Sequence, residues 1–313
     1  MTSFLLMLLL LPLMPNFREY TQQKLPQLAL IFITMIWGGS FLTVQYGLNF
    51  SSPILFVAFR FAAAAIAVSL ISWKYLHSFN LKEIFAGFCI GSVIAIGYGT
   101  QTIGLQTITS SESAFLTALY VPLVPIFMWL FLKKHPNIMT WLGVSCAFIG
   151  LVLLTGNGWN NIQLEFGQII TLLGAIAIAL EIILIGYFAG QVNIRRVTVL
   201  QLVFASALCF LIAPFIGETQ LPHFEWQLIT VLIGLGIASA CIQLVMNWAQ
   251  QYVDSSQAAI IYAGEPVWAA LIGRLAGERL PFMALIGGTL IVFGVLISEL
   301  KFSKKLLSKK KEP

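Results

Sequence analysis

Four ionisable side chains stand inside otherwise uncharged apolar runs: Arg60, Glu112, Glu181 and Glu265. Each costs roughly 2.5–3.5 kcal/mol to place at the centre of a bilayer helix, so each needs a partner or a function. Pro266 follows Glu265, and proline removes an amide donor and crowds the preceding turn. A carboxyl beside a broken helix is expected either to hold a proton or a solute, or to make a neutral interhelical hydrogen bond. Glu181 lies between AIAIAL and IILIG and has no polar neighbour along the chain. Glu112 sits in TSSES, where it reads as a solvated or helix-N-terminal carboxylate or as a binding group. Arg60 keeps its charge. It is expected to pair with a span-borne Glu or to snorkel outward, with recognition of a substrate carboxylate as the alternative.

Neutral polar and aromatic residues accompany these four: Trp37, Tyr98, Gln101, Tyr120, Gln243, Asn247, Trp248, Tyr262 and Trp268. Gln243 and Asn247 are spaced i, i+4, and Tyr262 and Glu265 i, i+3, so each pair shares a helix face. Such a set could line a cavity for an amphipathic or aromatic solute, with ring faces also suited to cations, or could simply fill the core. No catalytic group is expected. His77, His135 and His223 all fall in polar breaks, and no Ser-His-Asp, HExxH or paired-Asp pattern occurs in an apolar run. Without GxxxxGK[ST], ATP-driven pumping has no motif to rest on. Cys89, Cys146, Cys209 and Cys241 form no CxxC pair, so neither a metal site nor a disulfide framework is expected, and no cofactor.

The elements that must hold these residues follow from composition. Only 9% of the 313 residues are charged and 59% are hydrophobic, against about 25% charged in a soluble domain. The formal net charge of +5 comes from short basic clusters between apolar runs, so nucleic acid is not an expected partner. Ten runs are long enough to cross a bilayer as helices: 27–48, 53–73, 84–105, 112–132, 139–155, 167–189, 197–217, 227–250, 256–274 and 281–299. The expected fold is an all-α integral membrane protein. The stretch Phe4–Met14 is too short to span and lacks the features of a signal peptide. It reads as interfacial, with Met14 as an alternative start.

Basic residues flank these runs at Arg18 and Lys24, Lys74 and Lys82, Lys133 and Lys134, Arg195 and Arg196, Arg274 and Arg279, and in the tail from Lys301 to Lys311. On this reading sixteen of the 17 Lys and Arg residues fall on one side, Arg60 excepted, and both termini are cytoplasmic. The tail is expected to lie near anionic lipid headgroups.

The chain also repeats itself at an offset of 144: Gln106 and Gln250, Ser111 and Ser255, Ala114 and Ala258, Pro122 and Pro266, Gly143 and Gly287, Gly150 and Gly294. The division is then an N-terminal segment 1–25, a first five-helix unit 26–155, a connector 156–166, a second unit 167–300 and a basic tail 301–313. Five spans per unit require the second unit to enter the membrane inverted, an arrangement typical of secondary transporters. Gly87-x3-Gly91, Gly186-x3-Gly190 and Gly273-x3-Gly277 are expected to permit close helix approach within the bundle.

At these residues the chain resembles the EamA-type families of the drug/metabolite transporter superfamily. The carriers of the likeness are AAIIYAGEPVWAALIGRLAGERLP, Ala258 to Pro281, with Glu-Pro in mid-span and Gly-Glu-Arg at an end read as cytoplasmic; GLQTITSSESAFLTALYVPLVPIF, Gly104 to Phe127; Trp37-Gly38; and Phe59-Arg60. Lys133-Lys134-His135 departs from the pattern where the second half has Gly277-Glu278-Arg279. The resemblance implies movement of small metabolites, amino acids or drugs. The expected activity is secondary transport by alternating access, by export, with Glu265 as the proton-exchanging carboxyl. A passive facilitator is the alternative, and a membrane-embedded enzyme has the least support. The expected partners are a small molecule, protons and lipid, with the chain a monomer or weak homodimer in a bacterial inner membrane.

Overall fold

A computed structural model describes residues 24–133, 138–154 and 164–298. The expectations placed on the N-terminal segment, on Lys134 and His135, on most of the connector and on the basic tail lie outside these residues. The described chain is all-helical: α1 Leu25–Gly47, α2 Pro53–Ser72, α3 Leu81–Gly104, α4 Ser110–Thr117, α5 Tyr120–Leu132, α6 Ile138–Leu154, α7 Phe166–Phe188, α8 Ile194–Ile212, α9 Trp226–Ala249, α10 Ser255–Tyr262, α11 Glu265–Leu275 and α12 Phe282–Ser298. Eight stretches are long and apolar enough to cross a membrane, counting α4 with α5 and α10 with α11 as one each. The apolar α6 and α12 have 17 described residues apiece. The chain is a multi-pass membrane protein.

Local chemistry sets the helix starts. Asn80 and Glu83 form a reciprocal capping box at α3, and Asn193, Thr109 and Asp254 cap α8, α4 and α10 through their side chains. Two expected spans are each two helices. The breaks fall at Ala118–Leu119 and Ala263–Gly264. Pro122 and Pro266 stand just beyond them, in the first turn of α5 and α11, where a missing N–H costs least. Proline therefore starts the second helix of each pair rather than interrupting a continuous one.

Packing partners come in matched pairs across the two halves. α3 packs on α7 as α9 packs on α1, α8 on α3 as α2 on α9, α5 on α7 as α11 on α1, and α4 on α11 as α10 on α5; α2 with α8 and α6 with α12 are their own mates. The two halves thus interleave rather than fold side by side. Corresponding helix ends are 145 residues apart from α3 to the start of α5: Asn80 and Glu225, Thr109 and Asp254, Ala118 and Ala263. That is one more than the sequence offset, because Pro122 is the third residue of α5 and Pro266 the second of α11.

Contacts at the helix ends correct the charge assignment. Arg196 bonds the carbonyls of Tyr75 and Ser78 and pairs with Glu83 at 3.3 Å, gathering the turns that carry Lys74, Lys82 and Arg195 at one end. At the other end Gln45 bonds the carbonyl of Ile108, Gln168 bonds Glu112, and Ser110 and Ser111 bond Glu278. Arg274 and Arg279 flank Glu278, so they lie at that second end and not with the lysines. Parity gives the physical reason: three apolar stretches, α8, α9 and the α10–α11 pair, separate this turn from that of Arg196. Among the described residues Lys74, Lys82, Arg195 and Arg196 then fall to one end, and the Gly-Glu-Arg run belongs to the opposite end.

Two of the three glycine pairs also need correction. Gly87 and Gly91 both meet α8, as expected, but Gly190 and Gly277 take left-handed turns (φ 74° and 100°) with nothing near them. Only their partners Gly186 and Gly273 face a neighbouring helix.

Candidate functional site

Where the two broken helices meet, buried polar and aromatic side chains collect. Tyr120 opens α5 and Glu265 opens α11, and the Tyr120 hydroxyl donates to Glu265 Oε2 at 3.1 Å. Trp37 of α1 forms the wall. Its ring is nearly parallel to those of Tyr98 (6.1 Å, 8°) and Tyr120 (6.5 Å, 11°), while Tyr262 meets it edge-on at 5.8 Å. All five residues are buried. A small residue is needed behind this wall, and Gly38 places α1 against the backbone of α11 at Glu265 and Ala269.

Glu181 faces the same centre from α7. It is not without a partner: Gln243 of α9 donates to its Oε1 at 2.8 Å. The chain of amides continues, with Gln201 Nε2 donating to Gln243 Oε1 at 2.7 Å and Asn247 Nδ2 to Gln201 Oε1 at 3.2 Å. Asn247 also returns to the Gln243 carbonyl at 2.9 Å, so the i, i+4 pair is joined directly. Gln201 was not among the expected residues. Its signal was the spacing of Val197, Thr198, Gln201, Leu202, Ala205 and Ser206, one buried stripe of α8. Replacing Gln243 with Leu is expected to lower stability by about 1–3 kcal/mol, because Glu181 Oε1 and Gln201 Nε2 lose their partners together. A lower melting temperature of the detergent-purified protein checks this.

Arg60 departs from the expected ion pair. It is 2% exposed, and its Nε donates to Ser239 Oγ at 2.8 Å, while its guanidinium lies 5.3 Å from the Tyr98 ring centre and 5.6 Å from that of Phe61. Among the described residues the ion pair present is Arg196–Glu83. A hydroxyl and two ring faces therefore hold this cation, which the sequence could not distinguish from a carboxylate partner.

Four buried atoms around the centre have no hydrogen-bond partner among the described residues: Trp37 Nε1, Glu181 Oε2, Glu265 Oε1 and Gln250 Oε1. Gln250 reaches the Tyr262 hydroxyl at 3.4 Å through its other end. Glu181 and Glu265 lie close enough to interact electrostatically, and Tyr98 lies within reach of both and of Arg60. Unmet polar atoms in an apolar interior are costly, and they are the groups a bound solute would satisfy. Gln101 borders the cluster and bonds Thr117 at 3.1 Å, beside the α4–α5 break. Glu112 does not join it: its amide is capped by Thr109, and its carboxylate accepts from Gln168 at 2.6 Å, near the helix ends. Trp248 and Trp268 are half-buried, and Trp248 packs edge-on against Tyr252. Among the described residues no group of His, Cys, Asp or Glu could hold a metal ion.

A multi-pass helical bundle with a duplicated plan and a polar, aromatic centre is a transporter architecture. The chain belongs to the EamA-like transporter family, whose model matches residues 3–156 and 165–300. It is 31% identical over 287 residues to an uncharacterized transporter of Archaeoglobus fulgidus, covering 90% of this chain and 88% of that one. It is also similar to the uncharacterized inner membrane transporter YedA of Escherichia coli K12, at 25% identity over 88% of this chain and 91% of that one. A solved structure at 18% identity superposes with a TM-score of 0.64, covering 92% of this chain and 98% of that one, a likeness of fold. The chain is a membrane transporter.

Proposed function

We propose that this transporter is a secondary carrier that exports small metabolites, amino acids or drug-like solutes by alternating access, with Glu265 exchanging protons. One observation carries the reading. Two buried carboxyls, Glu265 of α11 and Glu181 of α7, stand in one polar and aromatic cluster, neither ion-paired among the described residues, and one of them opens a broken helix. A carboxylate without a cation in a dry interior is costly, so proton uptake and release there would be tied to what else binds at the cluster. The interleaved pairing of the two halves supports a motion in which each half rocks on the other around this point.

On this reading the lysine-rich end faces the cytoplasm with both termini, the units 26–155 and 167–300 are the two inverted repeats, and the solute crosses as a monomer's cargo, with lipid as the surround. Substrate identity is accessible by thermal shift of the purified protein against amino acids, nucleosides and cationic drugs, since a ligand of the native state raises its melting temperature. For a solute found this way, a pH gradient imposed across proteoliposomes is expected to concentrate it. Equilibration without accumulation would instead establish a passive facilitator.

A further inference from the structure

We infer that Glu278 latches a gate formed by α4 and α11, closing off the buried polar cluster at the end opposite the lysines. The residue lies three positions beyond α11, after the left-handed turn at Gly277. Its Oε1 accepts from Ser110 N (3.1 Å) and Ser110 Oγ (2.6 Å), and its Oε2 from Ser111 N (3.2 Å) and Ser111 Oγ (2.5 Å). These amides are the free donors of the first turn of α4, where a negative charge is favoured. Charge-assisted bonds of this kind are stronger than neutral ones.

The latch joins the two halves. α4 belongs to the first and α11 to the second. Just past the other end of α4, Tyr120 bonds Glu265, the first residue of α11. One helix of the first half is therefore fastened at both ends to carboxyls flanking one helix of the second. The Glu278 carboxyl lies beside Gly273, eight residues along α11 from Glu265, so the two fastenings stand about 12 Å apart along a rigid rod. Gly273 permits the approach: a Cβ there would meet Ser111 Oγ at 2.5 Å and the Glu278 carboxyl. The breaks at Ala118–Leu119 and Ala263–Gly264 leave α4 and α11 free to move as units once the fastenings release. Solute or proton arriving at Glu265 thereby bears on the same rod that carries the latch.

Among the described residues no carboxylate bonds across the matching pair at the lysine-rich end. Between α10 and α5 the hydrogen bond seen among the described residues is Ser256 Oγ to Met128 Sδ at 3.2 Å, and thioether sulfur is a poor acceptor. Asp254 bonds the amide of Gln257 in its own helix. Lys133 takes the left-handed position that Gly277 takes in the second half, and the sequence continues with Lys134 in place of Glu278. The free protein is accordingly held closed at the Glu278 end and opens first at the lysine-rich end, which rests on the alternating-access reading above.

Spin–spin distance measurements on the full chain in liposomes test this, in a cysteine-free background. One label pair, Gln106 with Phe282, reports the Glu278 end; the other, Lys133 with Tyr252, reports the lysine-rich end, and all four positions are exposed. With Glu278→Gln, longer distances are expected to become the larger population at the first pair while the second pair shortens. Ser110→Ala with Ser111→Ala, which keeps the backbone donors, is expected to give a smaller shift in the same directions. Widening at the first pair without shortening at the second is local fraying and overturns the latch, as does no change at either. If the unsubstituted protein exchanges between two distance states with pH while Glu278→Gln shifts neither, the latch fails and alternating access stands. If it never exchanges, both fail.

Discussion

Glu265→Gln in proteoliposomes is expected to bring solute accumulation driven by a pH gradient down to the level of protein-free vesicles. The substitution is chosen to keep the fold. An amide oxygen in the same place still accepts from the Tyr120 hydroxyl, so the contact that fastens α5 to the start of α11 survives. What is lost is ionisation. Among the described residues Glu265 Oε1 has no partner and no basic side chain is ion-paired with the group, so on the proposed role its loss ends proton exchange at this position. Exchange of labelled for unlabelled solute at equal pH needs no net proton movement and is expected to persist. Glu181→Gln separates the two carboxyls: its Oε1 accepts from Gln243, so an amide there disturbs a defined hydrogen-bond chain and serves as the comparison. Accumulation and pH dependence unchanged in Glu265→Gln would remove the proposed role outright and leave Glu181 as the remaining candidate.

The outline of this site was legible because intramembrane polarity is rare. Glu265, Glu181, Arg60, Tyr98, Tyr120, Gln243, Asn247, Tyr262 and Trp37 stand out in an apolar chain, and the structure buries all of them. The partners were not legible. Arg60 demands an acceptor, but a carboxylate, a hydroxyl and a ring face all meet that demand, and only the crossing of α2 with α9 selects Ser239. Gln201 and Glu278 act across elements 42 and 168 residues away in sequence, at Gln243 and Ser110, where no local pattern points. Glu278 was visible only as part of a Gly-Glu-Arg run, and its side of the membrane follows from the parity of crossings rather than from its neighbouring arginines. Glu112 reads the same in both: it is a first-turn carboxylate at a helix N-terminus, its amide capped by Thr109.

Gly38→Ala is expected to destabilise the protein, while Gly234→Ala is expected to leave it unchanged or slightly more stable. In a helix interior the substitution normally favours the fold by about 0.5–1 kcal/mol, because glycine loses more freedom on ordering. At Gly234, on α9, a Cβ meets nothing within 4 Å, so that gain should appear undiminished. At Gly38 the same methyl would stand 2.6 Å from the Glu265 carbonyl oxygen, 2.8 Å from Trp268 Cβ and 2.9 Å from the Ala269 amide nitrogen. These are backbone and near-backbone atoms, so relief requires α1 and α11 to separate rather than a side chain to turn. Overpacking of this kind costs about 1–3 kcal/mol, enough to reverse the sign. Separation also moves Trp37 off the rings of Tyr98, Tyr120 and Tyr262, so solute affinity should fall with melting temperature in Gly38→Ala and hold in Gly234→Ala. Parallel melting curves of the two variants, with and without solute, decide it: equal shifts would show that α1 and α11 are not in close contact at this point.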